Sequence, residues 1–565
     1  MTSTIPSADL RMAHMMERPL LLSSILSHAE TAFPYQEVVA RQPDDTLNRM
    51  TFPDFTRRCR LVAGNLVAGL NVRPGEIVAT LAWNTLEHLE LYFAIPGIGA
   101  VCHTLNLRYS DQQLTDIVNQ AQNRIVFVET DQLDRILRIA SDCPSLETIV
   151  VMGSVPDLTV DGITLYSHAS LYNADHELAE WPEFDEKAAS SLCYSSGSTG
   201  RPKGALYSHR STVLYCLSGL ASGQTLITPE AVVLAAVPMF HVNGWCKAHQ
   251  ALIAGAKLVL PGARMSGDSL PDLLDDEGVT VAFGVPTVWL GYVEHLRQHN
   301  RYPKTLKSIG FGGGTPTVGL IKTLHEDFNL SHCTGFGMTE TTTGLGAGFY
   351  DPEFDTHSET QQRIIGQKQR PFFGIEIRNS PPARAPVPHD DVASGEMECR
   401  GHFVISKYFK DDEATSDAMT TDGWFRTGDV IAIDQQGRFR VVDRLKDLIK
   451  SGGEWISSQA LESAASAHPM VAEAAVIGLP HPTWSERPLL LFRPMSGAEV
   501  DPRDISSHLK HHVPGWWIPK TIVEVTAIPR ASTGKIDKNR LRSDYAGYQF
   551  NDNDELVLIG HPLQD

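Results

Sequence analysis

Short apolar runs alternate with helix-like patterns over about the first 440 residues of the chain. Between the runs, apolar residues recur every three or four positions, which is the spacing of one helix face. Strands that are separated by helices in this way pair in parallel, so the alternation predicts an α/β fold with largely parallel sheets. The runs that we interpret as strands are Ile77–Ala82, Arg124–Val128, Val232–Val237, Lys257–Leu260 and Val279–Phe283.

Helix signals lie between these runs. We predict helices over Leu86–Ala94 and Asp111–Ala121. Ser110 precedes the second helix and can cap it, because a serine hydroxyl accepts a hydrogen bond from the first turn. Nearer the N-terminus we predict an amphipathic helix whose apolar face carries Leu22, Ile25, Leu26 and Ala29.

The composition of the sequence changes near residue 350. Residues 350–400 are rich in Pro, Asp and short β runs such as Gly374–Arg378, which indicates a smaller β-rich unit. We therefore predict a large N-terminal domain over residues 1–443, made of stacked α/β subdomains plus this β-rich subdomain.

A second boundary is predicted at Asp443–Asp447. The chain beyond it includes a predicted helix over Ser458–Ala467 and a predicted strand over Ala472–Ile477, which together indicate an α+β module of ordinary domain size. We assign residues 444–565 to this small C-terminal domain and expect the tail beyond Tyr548 to be loosely structured.

Composition narrows the class of protein. A net charge of −19 without a long basic run disfavours nucleic acid as a partner. No apolar run approaches the roughly 18 residues of a membrane helix, so we expect no stable membrane insertion. The 8 cysteines are scattered without a CxxC pair, which indicates reduced thiols and a cytoplasmic protein. The sequence leaves a homodimer open.

The strongest local signal is the Gly/Ser-rich segment Tyr194–Gly204, which comes after an apolar run. Glycines let backbone N–H groups approach phosphate oxygens, while hydroxyls and a lysine add donors and positive charge. The segment is not a Walker loop, and its alternative interpretation is a flexible polar loop. The candidate phosphate-binding residues are Ser195, Ser196, Gly197, Ser198, Thr199, Gly200 and Lys203.

This segment closely resembles the phosphate loop of the acyl-adenylate-forming superfamily, which includes acyl-CoA synthetases, firefly luciferase and non-ribosomal peptide adenylation domains. Further family motifs occur in the same order along nearly the whole chain: Gly335–Thr341, Thr421–Asp429, Asp443–Asp447 and Ser532–Lys535. The chain is therefore identified as a member of this superfamily, which implies an α/β N-terminal domain and a small, mobile C-terminal domain.

The resemblance implies roles for the nucleotide side. Glu340 would bind Mg²⁺, as would Ser198, and Thr339 would contact the α-phosphate of ATP. Asp429 would accept hydrogen bonds from the ribose hydroxyls, which suits a carboxylate, and Arg444 would support the same sugar. The other residues implied at the nucleotide are Gly313, Gly314, Thr315, Gly335, Phe336 and Gly337.

The resemblance also implies two orientations of the C-terminal domain. Lys446 would be the pivot between them. In one orientation Lys535 bridges the attacking carboxylate and the α-phosphate, where a compact ammonium offsets accumulating negative charge. In the other, Gly452 and Gly453 meet the pantetheine arm of coenzyme A. Lys450 and Trp455 resemble nucleotide contacts of medium- and long-chain synthetases.

The acyl pocket is predicted from Val237–Cys246, an almost wholly apolar segment around His241. It resembles the same segment in bacterial medium- and long-chain fatty acyl-CoA synthetases. That resemblance assigns His241 to the catalytic site, Val242 to the substrate wall, and Trp245 to a gate of the acyl tunnel. The alternative is that Trp245 is simply a core residue.

Together these motifs predict a ligase that forms an acyl-adenylate from ATP and then transfers the acyl group to coenzyme A, with Mg²⁺ as cofactor. The acid is predicted to be hydrophobic, with medium- or long-chain fatty acids first and steroid-derived, aryl or sulfur-containing acids as alternatives. Two other functions stay open, namely an acyl-AMP ligase that loads a carrier protein and a catalytically silent adenylate- or acyl-CoA-binding protein.

Overall fold

The computed structural model describes residues 13–195, 201–223, 225–348, 356–380, 387–495, 497–531 and 535–559. The helices in these ranges are α1 (Leu22–Ala32), α2 (Phe52–Ala68), α3 (Leu86–Gly97), α4 (Asp111–Ala121), α5 (Leu133–Ala140), α6 (His209–Ala221), α7 (Lys247–Ala254), α8 (Pro271–Asp276), α9 (Pro286–Gln298), α10 (Val318–Lys322), α11 (Glu359–Ile365), α12 (Asp412–Ala418), α13 (Ser458–Ser466), α14 (Pro502–Leu509) and α15 (Lys538–Asp544).

The strands fall into two groups along the chain. Those before residue 372 are β1 (Glu37–Arg41), β2 (Leu47–Thr51), β3 (Ile77–Leu81), β4 (Val101–Thr104), β5 (Ile125–Glu129), β6 (Thr148–Met152), β7 (Thr164–Ser167), β8 (Ala189–Ser195), β9 (Lys203–Ser208), β10 (Val232–Ala235), β11 (Lys257–Leu260), β12 (Val281–Gly284), β13 (Ser308–Phe311), β14 (Ser331–Phe336), β15 (Gly346–Gly348) and β16 (Arg370–Pro371). The later ones are β17 (Ile375–Ser380), β18 (Ser394–Gly401), β19 (Phe425–Ile433), β20 (Phe439–Arg444), β21 (Ile449–Ser451), β22 (Glu454–Ile456), β23 (Val471–His481), β24 (Ser485–Pro494), β25 (Thr521–Glu524), β26 (Tyr548–Phe550) and β27 (Leu556–Leu558).

The α/β prediction is confirmed, and the local signals that led to it are visible. All five apolar runs form strands, with ends shifted by one or two residues except in β11, which matches. Helix α4 has the predicted bounds, and Ser110 caps it reciprocally with Gln113. Helix α1 buries the predicted face of Leu22, Ile25, Leu26 and Ala29.

Two large sheets form the body of the N-terminal part. In the described residues, one has seven strands in the order β7-β6-β5-β3-β4-β8-β9, parallel except for the hairpin of β8 and β9. The other has nine strands in the order β16-β15-β14-β13-β12-β10-β11-β1-β2, parallel in its centre and antiparallel at both edges. Apolar residues on facing helices and strands bury a continuous core between these elements.

The parallel centre of the nine-stranded sheet positions the site. Strands β10, β12, β13 and β14 are neighbours, so the loops that leave their carboxyl ends meet at one edge of the sheet. Ligands of open α/β sheets bind in the crevice outside this edge. The four loops carry His241, Val285, Gly312–Pro316 and Gly337–Glu340, respectively.

A small antiparallel sheet, β17-β18-β19-β20, corresponds to the predicted β-rich unit but extends further, to Arg444. Beyond it, β21 to β25 form another sheet, against which α13 and α14 pack.

The expectation of a loosely structured tail is wrong for the residues described there. Strands β26 and β27 pair, and Phe550 is buried in the apolar cluster that contains Ile477 and Leu541. The short polar turn between the two strands hid this hairpin in the sequence.

Candidate active site

A large cleft of about 2120 Å³ lies where the loops at the sheet edge meet the residues after 443. The phosphate-loop segment borders it. Strand β8 ends at Ser195 and β9 begins at Lys203, and these two residues face each other in the antiparallel register and line the cleft. Ser196, Gly197, Ser198, Thr199 and Gly200 lie outside the described residues. The structure thus fixes both ends of the predicted loop.

Glu340 lies in a tight turn that comes after β14. Its side chain is almost wholly buried, and one carboxylate oxygen accepts a 2.8 Å hydrogen bond from the Tyr408 hydroxyl. Burial raises the pKa of Glu340, although Tyr408, Arg444 and Lys203 act in the opposite direction. The site therefore holds a carboxylate whose negative charge the protein leaves partly uncompensated.

Neighbouring backbone atoms force this turn into shape. A Cβ atom at Gly337 would lie 1.9 Å from the carbonyl oxygen of Thr343, so only glycine fits there. The Tyr207 hydroxyl donates a 2.5 Å hydrogen bond to the carbonyl oxygen of Thr339. These contacts fix the backbone of Thr339 and Glu340 at the mouth of the cleft.

Asp429 and Arg444 are cross-strand partners on β19 and β20. The Arg444 Nε atom lies 3.2 Å from Asp429 Oδ1, while Oδ2 has no hydrogen-bond partner among the described residues. Burial raises the pKa of Asp429, and Arg444 and then Lys535 lower it. A buried carboxylate oxygen without a donor fits a ligand that brings hydroxyl groups.

Lys535 comes directly after residues 532–534, which lie outside the described ranges. It is solvent-exposed within the cleft, yet the protein around it lowers its pKa to about 8 through desolvation and the charge of Arg444, against the effect of Asp429. Lys535 also contributes, after burial, to the low pKa of His241. Lys535 and His241 line the same cleft.

The glycine loop comes directly after β13 and packs against Trp245. Gly313, Gly314 and Thr315 line the cleft, as do Gly335 and Phe336 on the neighbouring β14. The indole of Trp245 packs directly on Gly312, where an added Cβ would lie 2.7 Å from the ring. Trp245 is half-buried and contacts this loop, so a movement of the indole would also displace the loop.

The backbone from Val242 to Cys246 is left-handed at every residue, with φ between 37° and 55°. Such conformations are costly for residues other than glycine, and they persist where the surroundings fix them. Here the Asn243 side chain bonds to Ser191 at 2.7 Å and to Thr104 at 3.0 Å. The result places His241, Val242 and Trp245 on the wall of the cleft.

His241 is held as a neutral imidazole. Burial, followed by the charges of Lys535 and Arg108, lowers its pKa to about 3. Its Nδ1 atom has no hydrogen-bond partner in the described part of the chain. The ring can therefore accept or donate one hydrogen bond to a ligand without carrying charge.

The residues predicted for the second step are divided. Lys446 lines the cleft next to Arg444, whereas Lys450, Gly452, Gly453 and Trp455 do not. The latter form a small hairpin in which the Lys450 ammonium lies 5.8 Å from the Trp455 ring and Gly452 packs against Trp484. In this conformation Lys535 lines the cleft, whereas Gly452 and Gly453 do not.

The sequence analysis missed several residues of the site. Tyr408 positions Glu340 from 68 positions away, and Gln459 donates a 2.7 Å hydrogen bond to the Thr315 hydroxyl. Lys247 lies on the acyl wall one position beyond the segment that we singled out. Neither Tyr408 nor Gln459 belongs to a recognisable motif, but the lone cation next to an apolar segment could have been noticed.

Comparisons with known proteins agree with this geometry. The model of the family described as AMP-binding enzyme matches residues 27–409, and that of its C-terminal domain matches residues 460–535. A 3-methylmercaptopropionyl-CoA ligase from Ruegeria lacuscaerulensis is 37% identical over 94% of this chain and 99% of its own length. A long-chain-fatty-acid–CoA ligase from Thermus thermophilus is 38% identical over 94% of this chain and 97% of its own.

The fold is also that of solved structures. An anthranilate CoA ligase in complex with anthranoyl-AMP superposes with a TM-score of 0.81 at 22% identity, covering 96% of this chain and 99% of that one. In the described residues, no helix is long and apolar enough to cross a membrane. The chain therefore belongs to the AMP-binding enzyme family, within the acyl-adenylate-forming superfamily, and is an AMP-forming acid–thiol ligase.

Proposed function

We propose that the chain activates a hydrophobic carboxylic acid, with medium- and long-chain fatty acids as the leading class, and transfers it to coenzyme A. One observation carries this proposal most directly. Lys535 lines the same cleft as Thr339 and Arg444, which we propose for the nucleotide, and as His241, which we propose for the acid. Relatives that act on fatty acids and on 3-methylmercaptopropionate support the same class of reaction.

In the first step, a carboxylate oxygen attacks the α-phosphorus of ATP and pyrophosphate leaves. Lys535 offsets the charge that builds up on the phosphoryl oxygens, and the loop at Thr339 binds the same group. Asp429 and Arg444 hold the ribose, and the glycine loop with Phe336 holds the adenine. The neutral His241 borders the acid without repelling or protonating it.

Magnesium fits this site. Burial raises the pKa of the Glu340 carboxylate, and a divalent cation beside it would stabilise its charged form. Mg²⁺ commonly takes one or two carboxylates and completes its shell with phosphate oxygens and water. We propose Glu340 as a ligand together with the Ser198 hydroxyl. When bound, the ion neutralises charge on the phosphates.

In the second step, the thiol of coenzyme A attacks the acyl-adenylate and AMP leaves. We propose that the domain boundary lies at residues 443/444 and that the smaller domain turns about Lys446 between the steps. The turn would withdraw Lys535 and bring Gly452 and Gly453 to the cleft, with Lys450 and Trp455 at the nucleotide of coenzyme A. The buried cysteines suit our proposal of a cytoplasmic location.

The test is a panel of carboxylic acids with two thiol acceptors, coenzyme A and a phosphopantetheinylated carrier protein. The proposal predicts acyl-CoA, AMP and pyrophosphate in equal amounts with apolar acids. Transfer to the carrier protein without formation of acyl-CoA would contradict the proposal and would indicate a ligase that loads a carrier protein. No turnover of any acid with either thiol would leave only a binding protein.

A further inference from the structure

Lys247 is a cation on the otherwise mainly apolar acyl wall. It begins helix α7, directly after the left-handed segment Val242–Cys246, and lines the cleft with only 6% of its surface exposed. Around it the wall is formed by apolar and aromatic groups, including Tyr215, Phe283 and Cys333.

The ammonium is poorly satisfied within the protein. Its Nζ atom donates a 2.7 Å hydrogen bond to the Gln250 side chain and lies 4.4 Å from the centre of the Phe283 ring. In the described part of the chain, no carboxylate lies within 4.0 Å of it. An ammonium has three N–H donors, and among the described residues only the Gln250 oxygen accepts a hydrogen bond from it.

Three half-buried lysines of the molecule are paired with carboxylates. Lys368 pairs with Asp391 at 2.9 Å and with Asp434 at 3.0 Å. Lys538 pairs with Glu462 at 2.8 Å, and Lys257 pairs with Glu277 at 3.0 Å. Buried charges in proteins are normally paired in this way, because an unpaired one is costly. Lys247 is more buried than these three and lacks such a partner among the described residues.

Two further features make the position unfavourable in the empty protein. Burial lowers the pKa of Lys247 to about 8, and the side chain stands at the first position of α7, where the helix dipole disfavours a cation. The titratable groups that raise the pKa of Lys247 are the thiols of Cys333, Cys216 and Cys246. Burial raises the pKa of the Cys333 and Cys216 thiols. A hydrogen bond with Cys216 lowers the pKa of Cys246, and Cys246 has the smallest effect of the three thiols on the pKa of Lys247.

We propose that Lys247 is a specificity-determining residue that binds a second oxygen acceptor, a carboxylate or a carbonyl, on the body of the acid substrate. This rests on the proposed function. The substrate then has a reactive carboxylate at Lys535 and His241, an apolar body along the wall, and an oxygen acceptor that meets Lys247. A plain hydrocarbon chain would leave the ammonium buried without that acceptor.

The test compares three acids of equal length: a monocarboxylic acid, its α,ω-dicarboxylic analogue and its analogue with a ketone next to the terminal methyl. The set is repeated with eight, ten and twelve carbons. At pH 7 we expect the wild type to have a higher kcat/KM for an acid with the second acceptor. In Lys247→Met, which preserves volume, this advantage should fall by about 10- to 100-fold, as expected for a hydrogen bond to a charged group.

A second variant identifies the acceptor. Lys247→Gln keeps a donor but removes the charge, so it should retain a preference for the ketone and lose one for the dicarboxylic acid. The melting temperature of Lys247→Met should not fall, because a buried unpaired charge is replaced by an apolar group.

The outcomes separate this proposal from the function on which it rests. If plain acids are converted to acyl-CoA as well as both analogues at every length, or if Lys247→Met leaves the ranking unchanged, the role of Lys247 is rejected while the ligase stands. If no acid releases pyrophosphate, the proposed function itself fails.

Discussion

The side of the cleft that we propose for the nucleotide and the side that we propose for the acyl group differ in how their residues are spread along the sequence. On the nucleotide side, Gly335–Thr341 forms a continuous loop, and Asp429 and Arg444 meet across adjacent strands. On the acyl side, Tyr215, Lys247 and Phe283 come from α6, α7 and β12. We infer that the reaction chemistry depends mainly on continuous motifs, whereas the choice of acid depends also on positions that are scattered along the sequence.

The largest effect is expected for Lys535→Ala on the nucleotide side. Adenylation should fall by roughly 10²- to 10³-fold, the scale for loss of one group that stabilises transition-state charge. Thioester formation from pre-made acyl-adenylate should be largely retained, because the lysine serves only the first step. The exposed Lys510→Ala is the matched control. An equal fall in both half-reactions would make Lys535 a structural residue.

Glu340→Gln keeps the shape of the side chain and removes its charge. Use of Mg·ATP should weaken by about 100-fold, with partial recovery at high Mg²⁺. Tyr408→Phe removes the 2.8 Å hydrogen bond to Glu340 but keeps the charge, and it should weaken the use of Mg·ATP by about 1.5–3 kcal/mol, the scale of a hydrogen bond to a charged group. The measurement is the rate of adenylation against Mg²⁺ concentration, and an unchanged dependence in Glu340→Gln rejects the ligand role.

The lowered pKa of Lys535 predicts that the rate of adenylation declines at alkaline pH, which gives its pH profile an alkaline limb. Its pKa is lowered to about 8, and a lysine carries charge below its pKa, so adenylation should decline as the pH rises through this value. kcat/KM for ATP should fall about tenfold for each pH unit beyond the limb. Lys535→Arg stays charged over this range and should remove the limb, whatever its absolute rate. A limb that persists unchanged in that variant belongs to another group.

The smallest effect on the nucleotide side is expected from Trp245→Ala, which probes the boundary between the two sides because the indole touches Gly312 there. Affinity for ATP should change modestly, while activity on bulky acids should rise relative to short ones. If Trp245 is instead a core residue, its loss costs about 3–5 kcal/mol of stability. Melting temperature and the ranking of acids, measured on one preparation, separate the two. A large fall in melting temperature with an unchanged ranking of acids rejects the role of Trp245 as a gate.

The features that the sequence predicted depend on residues that are close together in the chain. The cap at Ser110 depends on neighbouring residues, and so do the strand Lys257–Leu260 and the strand predicted over Ile77–Ala82, which ends one residue earlier. The same holds for the two ends of the predicted phosphate loop, Ser195 and Lys203. The bond from Tyr408 to Glu340 depends on how β14 and the chain after β18 pack together, which no local pattern records. The pairing of β26 with β27 was missed because each has only three residues and a polar turn joins them.

The burial of Lys247 was missed for a related reason. In the sequence it comes after an apolar segment and resembles the start of a solvated helix, and only the tertiary fold places it against Phe283 and away from every described carboxylate. The roles of the site residues therefore stay predictions until the variants are measured, while the family and the reaction class do not depend on them.

The proposed mechanism requires that one cleft forms an acyl-adenylate before any thiol arrives. The direct measurement is exchange of labelled pyrophosphate into ATP by the wild-type protein, with and without an apolar acid and with and without coenzyme A. The mechanism predicts exchange that requires the acid and not coenzyme A, followed by release of AMP and acyl-CoA in equal amounts once coenzyme A is added. Exchange that requires coenzyme A, or formation of ADP and phosphate in place of AMP and pyrophosphate, would contradict it.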